Sequence, residues 1–518
     1  MTARGSAWLV GSVLMVACSV AAVMPAAADA WSQCQNKSAP DVASCSEVIA
    51  SGEKDPDRLG TAYLYRGVGY YMKGQRDQAL ADFNETIRLD PKLAHSAYTN
   101  RGAIFMEQGK TDLALADFDE AIRREPRDSM AFSNRGGIRG QQSNGYDKAI
   151  ADFNEAIRLD DKNARAYANR GWVQSRAGKY SEAIADLDRA IQLNPSAAKS
   201  YNNRGFTFTR MGQLDRAAAD LNQAIRLDPK DFQPYANRGI LNLDKGDAAV
   251  AISDFTQAVA LNPRDVESLS NRALAFMRSG QPDKGLADAE AAMAIDPSYA
   301  PAFRARGAAR AYAKQWDQAL ADFNQAIRLG PQSAMTYTER GLVYANRGQL
   351  DLANADYNEA IRVNPKYSLA YVNRGVAYER LGRLDQAEAD FSEAIRLAPD
   401  FALAYYDRGN VDRARGQHAR ALEDYSEAIR INPNYVQAYS DRGVIYYLTG
   451  RHDQAIADYD HALQVDPNHA PAYFNRAAAH RAKGEVADAI ADYRKVLALD
   501  PNMARAKAKL QELGVSQP

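Results

Sequence analysis

Cysteine is scarce in this chain of 518 residues: there are three, at Cys18, Cys34 and Cys45, and none in the last nine-tenths. Cysteine-rich zinc modules and disulfide-dense folds are thereby excluded. Histidine is also rare, with six residues, four of them between His452 and His480. His452 and His461 are nine apart on a helical pattern and point to opposite sides, and His480 takes an aromatic core position, so these read as scattered helix and core histidines and no metal is expected. Charge is balanced at a formal net of −1, which gives no electrostatic reason to expect nucleic acid or an anionic membrane surface. No P-loop, dinucleotide fingerprint, G-x-S-x-G elbow or H-E-x-x-H motif occurs, so the sequence offers no catalytic residues, no enzyme activity and no cofactor. Beyond the first thirty residues there is no apolar run long enough to cross a membrane.

What is there is one stretch repeated. Residues 370 to 400, AYVNRGVAYERLGRLDQAEADFSEAIRLAPD, carry two apolar stripes at helical spacing. Tyr371, Gly375 and Tyr378 form the first; Ala387, Phe391 and Ala394 form the second. Gly382 separates them and Pro399 closes the unit, which predicts a helix, a tight turn and a second helix. Gly375 and Ala387 let the helices approach closely while Tyr371 and Phe391 fill the flanks. One pair cannot bury both stripes, so each copy needs a neighbour.

An Arg, nearly always followed by Gly, recurs at Arg66, Arg101, Arg135, Arg170, Arg204, Arg238, Arg272, Arg306, Arg340, Arg374, Arg408, Arg442 and Arg476, with an interval of 34 residues from Arg170 onward. The closing Pro keeps step from Pro91 to Pro501, with Asp161 the single substitution. A 34-residue period with this pattern of small and aromatic residues resembles the tetratricopeptide repeat (TPR) family over roughly residues 57 to 504. The resemblance implies an all-α, right-handed superhelical solenoid of about thirteen helix-turn-helix copies, a protein that binds proteins.

Residues 1 to 30 differ in kind. Arg4, an apolar run from Ala7 to Val23 and a closing Ala28-Asp29-Ala30 have the layout of a secretory signal, cleaved near Ala30. An uncleaved anchor and a lipid-bearing Cys18 are the alternatives. Export places the chain in a periplasm or at a cell surface, and leaves no membrane span in the mature protein. In that setting Cys34 and Cys45 are expected to form a disulfide within an N-terminal cap of residues 31 to 56; two buried thiols are the other reading. Residues 505 to 518 supply a closing helix and tail.

The copies differ in instructive places. One extra residue falls between Pro91 and Arg101, and another in the turn around Gln141 to Gly145. Copy seven, residues 266 to 299, is the thinnest: Gly285 stands for Ala and Ala289 for an aromatic or Leu, making it a candidate flexible joint unless a neighbour fills the space. Every copy has an Asp, from Asp82 to Asp492, to match its Arg. A ladder of ion pairs is expected, within or between copies, in preference to an anion-binding row of arginines.

The residue before the Arg is Asn at Asn100, Asn134, Asn169, Asn203, Asn237 and Asn271, and again at Asn373 and Asn475. In the TPR family this position faces the concave groove, and the run resembles the asparagine ladder in the repeats of O-linked N-acetylglucosamine transferase, where amides hold an extended peptide by its backbone. An amide pairs with a peptide unit whatever the side chain, so a row of them implies sequence-tolerant peptide binding. The other reading has each Asn bonded to a neighbour or to water. Tyr65, Ala305, Glu339, Asp407 and Asp441 replace Asn, which predicts a more acidic C-terminal half. Arg165, Arg176, Lys199 and Arg210 are expected to form a basic patch in the groove. Leu64, Thr99, Ser133, Ala168 and Asn202 stand where the family's carboxylate clamp has lysine, so capture of a chaperone C-terminus is not expected. The expected function is a non-catalytic adaptor of the bacterial envelope. The alternative is a structural part of an envelope assembly, such as polysaccharide export or an outer-membrane complex, working through its convex face or ends.

Overall fold

The computed structural model describes residues 28–35, 40–142 and 144–515. The signal-like segment up to Ala27, with Cys18, lies outside the described residues, and a helix begins at Ala28, within the expected cleavage motif. Among the described residues there are 29 helices and no strand. Two short helices, Ala28–Cys34 and Val42–Ala50, come first, then thirteen hairpins from Pro56–Met72 paired with Arg76–Leu89 to Ala470–Lys483 paired with Val486–Leu499, then a closing helix, Ala504–Glu512. The first hairpin opens at Pro56 and the closing helix at Ala504.

Copy ten shows why this sequence folds so. Its helices are Ser368–Arg380 and Leu384–Leu397. Gly382 turns the chain at φ +71°, its N–H donating to the Glu379 carbonyl while the Arg383 N–H donates to that of Tyr378. That is a Schellman closure, which needs a residue in the left-handed region and favours glycine. In copy eight Lys314 takes this turn position at φ +59°. A Cβ is strained there by about 1–2 kcal/mol, offset in part by glycine's greater flexibility when unfolded. Lys314→Gly should therefore stabilise the chain by about 0.5–1 kcal/mol, read as a rise in urea midpoint.

Second helices end where Pro follows, because the residue before Pro is pushed to extended backbone; Ala398 lies at φ −140° before Pro399. Phe391, Ala387 and Ala394 are fully buried and share one cluster with Val372 of their own copy and with Ala404 and Val411 of the next. Each core is thus completed by its neighbour, at about 2–3 kcal/mol for each buried ring. At the N-terminus Cys34 and Cys45 are disulfide-bonded and pack with Val48, Ala62 and Tyr65, covering the first copy. Asp41 caps the second cap helix by accepting from the Ser44 N–H.

The chain forms two compact units, residues 1–275 and 276–518, and the division falls inside copy seven. In that copy Ala289 is buried where its neighbours carry a ring, Ala273 stands for Gly, and Leu269 stands for the aromatic that flanks the Arg elsewhere.

Candidate functional site: the face of the first helices

The Arg and Asp of each copy define the frame on which this face is built. Arg374 Nε and Nη2 donate to both oxygens of Asp390 at 2.7 and 2.6 Å, and the same two-pronged pair joins Arg66 to Asp82, Arg170 to Asp186 and Arg442 to Asp458. The remaining Nη1 reaches back to the second helix of the copy before: Arg374 to Asn358, Arg340 to Asn324, Arg170 to Asn154 and Arg408 to Ser392. Pairing is therefore within the copy and the third donor ties adjacent copies. Burial pushes the Asp82 and Asp356 carboxyls above their usual range even beside the guanidinium, so the pair does not fully offset its desolvation. Tyr371, one turn before Arg374, lays its ring 5.6 Å from the guanidinium, as Tyr405 does at 5.8 Å from that of Arg408. These arginines are committed to structure.

With the arginines so held, the residue before each points along the face of the first helices. Within each unit, first helices of successive copies pack on one another, as Ala164–Arg176 does on Ala198–Arg210 and Ser368–Arg380 on Ala402–Ala414. On this face side chains of copies three apart are within electrostatic reach: Tyr71 of copy one acts on Arg165 of copy four, and Arg176 of copy four on Glu267 of copy seven. In the second unit Arg278 acts on Tyr367, three copies on.

The asparagines on this face are not equivalent. Asn100 and Asn134 are 0% and 2% exposed, whereas Asn169, Asn203, Asn237, Asn271, Asn373 and Asn475 are half-buried. Asn237 Nδ2 donates to Asn202 Oδ1 at 2.9 Å, and Asn134 Oδ1 accepts from Arg165 Nη2 at 3.1 Å. Both amide atoms of Asn100, and the Nδ2 donors of Asn134, Asn169 and Asn373, are buried with no partner. Each such donor costs about 1–3 kcal/mol until an acceptor reaches it.

The four basic residues do not share one setting. Arg165 is half-buried, burial pushing its guanidinium down, and Arg176 lies 5.0 Å from the Trp172 ring and 5.8 Å from that of Tyr146. Lys199 and Arg210 are exposed. In the C-terminal half the row is carboxylate by sequence but not uniformly by charge. Glu339, pushed up by burial, accepts from Arg304 Nη1 at 3.0 Å, and Asp441 accepts from the Tyr406 hydroxyl at 2.7 Å. Asp407, 8% exposed, is pushed up to about 7, by burial first and then by the Glu379 carboxylate.

Asp407 carries a pH prediction. Unfolded, its carboxyl returns to the ordinary value of 3.8, so between about pH 4 and 7 the folded chain binds more protons than the unfolded one. The stabilisation is complete below that window and is lost as the pH rises through about 7. Asp407→Asn should remove this slope and stabilise copies ten to twelve at pH 7.5 by on the order of 3 kcal/mol, measured by amide hydrogen exchange at pH 5 and 7.5.

Among the described residues one trio could approach a metal: His480, Glu485 and Asp488, with ligand atoms within 4.8 Å of one another. His480 Nδ1 is bonded to Glu485 at 2.6 Å, and Lys483 Nζ lies 2.5 Å from the same carboxylate, so an ammonium already holds the place of a cation. Among those residues no helix is long and apolar enough to cross a membrane.

Family models described as TPR repeat match residues 176–212 and 409–450. Others described as tetratricopeptide repeat match 61–92, 95–128, 153–185, 198–231, 236–300, 338–402, 436–469 and 470–503. No curated protein matches the chain. Of solved structures, one titled as the APC/C hetero-tetramer Cut9-Hcn1 is 14% identical, covering 91% of this chain and 99% of that one with a TM-score of 0.52. Another, titled as MamA protein, is 23% identical over 36% of this chain and 97% of its own, with a TM-score of 0.30. Matches to the repeat model, spread from residue 61 to 503 over hairpins of the geometry described, place this chain in the tetratricopeptide repeat family.

Proposed function

We propose that this tetratricopeptide scaffold for protein–protein interaction holds extended peptide segments of its partners along the face of the first helices, and that it does so outside the cytoplasm, in the bacterial envelope. The observation that carries the reading is the set of unpartnered amide donors at Asn100, Asn134, Asn169 and Asn373. A peptide carbonyl is the acceptor such donors lack, and it is present whatever the partner's side chains are. Supporting the location are the Cys34–Cys45 bridge, which persists in oxidising compartments, and the signal-like residues before it.

The test replaces those four asparagines with alanine. Asn134→Ala takes from Arg165 Nη2 its acceptor, at a cost of about 1–3 kcal/mol, while the other three substitutions leave no new buried group unsatisfied, so the variant should still fold, as circular dichroism checks. Its affinity for a labelled extended peptide of Thr, Ser and Val should fall by about tenfold or more. Unchanged affinity in a folded variant would refute the groove reading.

A further inference from the structure

In the second unit, three copies bring together a cluster that the asparagine row does not explain. Asp407 comes from the first helix of copy eleven, Ala402–Ala414, and Glu379 from that of copy ten. Among the described residues neither carboxylate has a hydrogen-bond or ion-pair partner, although Asp407 is more than nine-tenths buried and Glu379 half-buried. Beside them the Tyr406 and Tyr435 rings lie 5.0 Å apart at 41°. The Tyr406 hydroxyl donates a hydrogen bond to Asp441, whose charge also acts on Arg413. Asp441 is therefore committed, and Arg413 is shared between it, the Tyr425 hydroxyl and Glu379.

Asp407, at a position where other copies carry a neutral amide, has no cation bonded to it, and Glu379 has only its share of Arg413, which raises the cost of the empty site. Asp390 of a second helix and Glu339, which holds the equivalent position in copy nine, each have a guanidinium within 3 Å; Asp407 does not. A cation entering between Asp407 and Glu379 supplies the missing counter-charge, and the Tyr406 and Tyr435 rings offer faces to it. Burial and the Glu379 charge both push Asp407 up, which is the state of a site whose counter-ion has yet to arrive.

We infer that Asp407 and Glu379, with the Tyr406 and Tyr435 rings, form a receptor for one cationic side chain, arginine or lysine, of a peptide lying along the face of the first helices. This rests on the groove reading and adds a selectivity to it: within the second unit the Asn373 amide holds the backbone, and this cluster sets the register by one positive residue.

The experiment uses the full chain and two labelled Thr/Ser/Val peptides that differ only at a central residue, arginine in one and its neutral isostere citrulline in the other. Their affinities are measured by fluorescence anisotropy for the parent, for Asp407→Asn/Glu379→Gln, for a charge-matched control, Asp283→Asn/Asp351→Asn, whose carboxylates are exposed on the second helices, and for the four-asparagine variant. The arginine peptide should bind the parent and the control about tenfold more tightly than the citrulline peptide. In Asp407→Asn/Glu379→Gln the ratio should drop to about one with citrulline binding unchanged. Equal binding of the two peptides by the parent, or a ratio that survives Asp407→Asn/Glu379→Gln, overturns the receptor. So does calcium binding abolished by that variant without any preference between peptides, which would make the site a metal site. If both peptides bind equally and both are lost with the asparagines, the groove stands and the receptor falls. If arginine preference persists without the asparagines, the groove reading falls and the receptor stands.

Discussion

Arg374→Met should destabilise copies nine to eleven by about 3 kcal/mol. The loss has two parts: the Asp390 carboxylate, 6% exposed, is stranded without its two guanidinium bonds, and Asn358 of the preceding copy loses its donor. Because Asp82 and Asp356 are pushed up even with their arginines in place, the pairs are costly to break without being strongly stabilising to form. The double variant Arg374→Met/Asp390→Leu should therefore recover more than half of the loss. In a stack of repeats the damage is local, so hydrogen exchange resolved by copy is the measurement, with urea unfolding for the total. A single variant within about 0.5 kcal/mol of the parent would mean that these pairs behave as solvated surface bridges.

Gly375→Val should cost a similar amount, about 3 kcal/mol, by overpacking. A Cβ at Gly375 would lie 2.6 Å from Phe391 Cε1 and 2.9 Å from Cδ1 and Cζ of the same ring, which is fully buried and cannot withdraw. The chain itself reports on this contact. The copy whose sequence has Ala273 in place of the glycine has Ala289 in place of the ring, and Gly171 and Gly205 face Leu187 and Leu221. In the last copy Ala477 faces Tyr493, so one methyl is tolerated there and a branched side chain is the informative substitution. At Gly382, by contrast, an added Cβ meets nothing within 4 Å and only the positive φ opposes it. Gly382→Ala should cost about 1 kcal/mol, and thermal unfolding of the two variants should separate packing from backbone strain.

The period made the fold legible. Small residues at Gly375 and Ala387, Phe391 between them, Gly382 at the turn and Pro399 at the end each have a single physical reading, and thirteen copies repeat it. The Arg–Asp pairing was legible as a need for counter-charge, but not its reach to the copy before. The signal was present: the residue two places after the Asp is Asn84, Asp119, Asn154, Asp188, Asn222, Thr256, Asn324, Asn358, Ser392, Ser426 or Asp460, each able to accept from the next Arg. The site was only partly legible. Periodicity puts all eight asparagines on one face, yet it does not say that first helices crowd closely enough to bury Asn100 and Asn134, or that Asn202 and Arg165 occupy two of the amides. Acidic residues in the C-terminal half were visible, but that Asp407 lies buried near Glu379 without a cation depends on how neighbouring copies pack. A repeat fixes the direction of a side chain; its surroundings come from the neighbours on either side.

The central claim is that partners lie along the first helices, and site-specific photo-crosslinking tests it directly. A photoreactive residue is placed at Asn169, on the first helix of copy four, or at Glu182, exposed on the second helix of the same copy. The chain is then irradiated in an envelope extract. Adducts from position 169, and none above background from position 182, are the predicted result. Adducts that form from 182 and not from 169 would place partners on the opposite face and contradict the account.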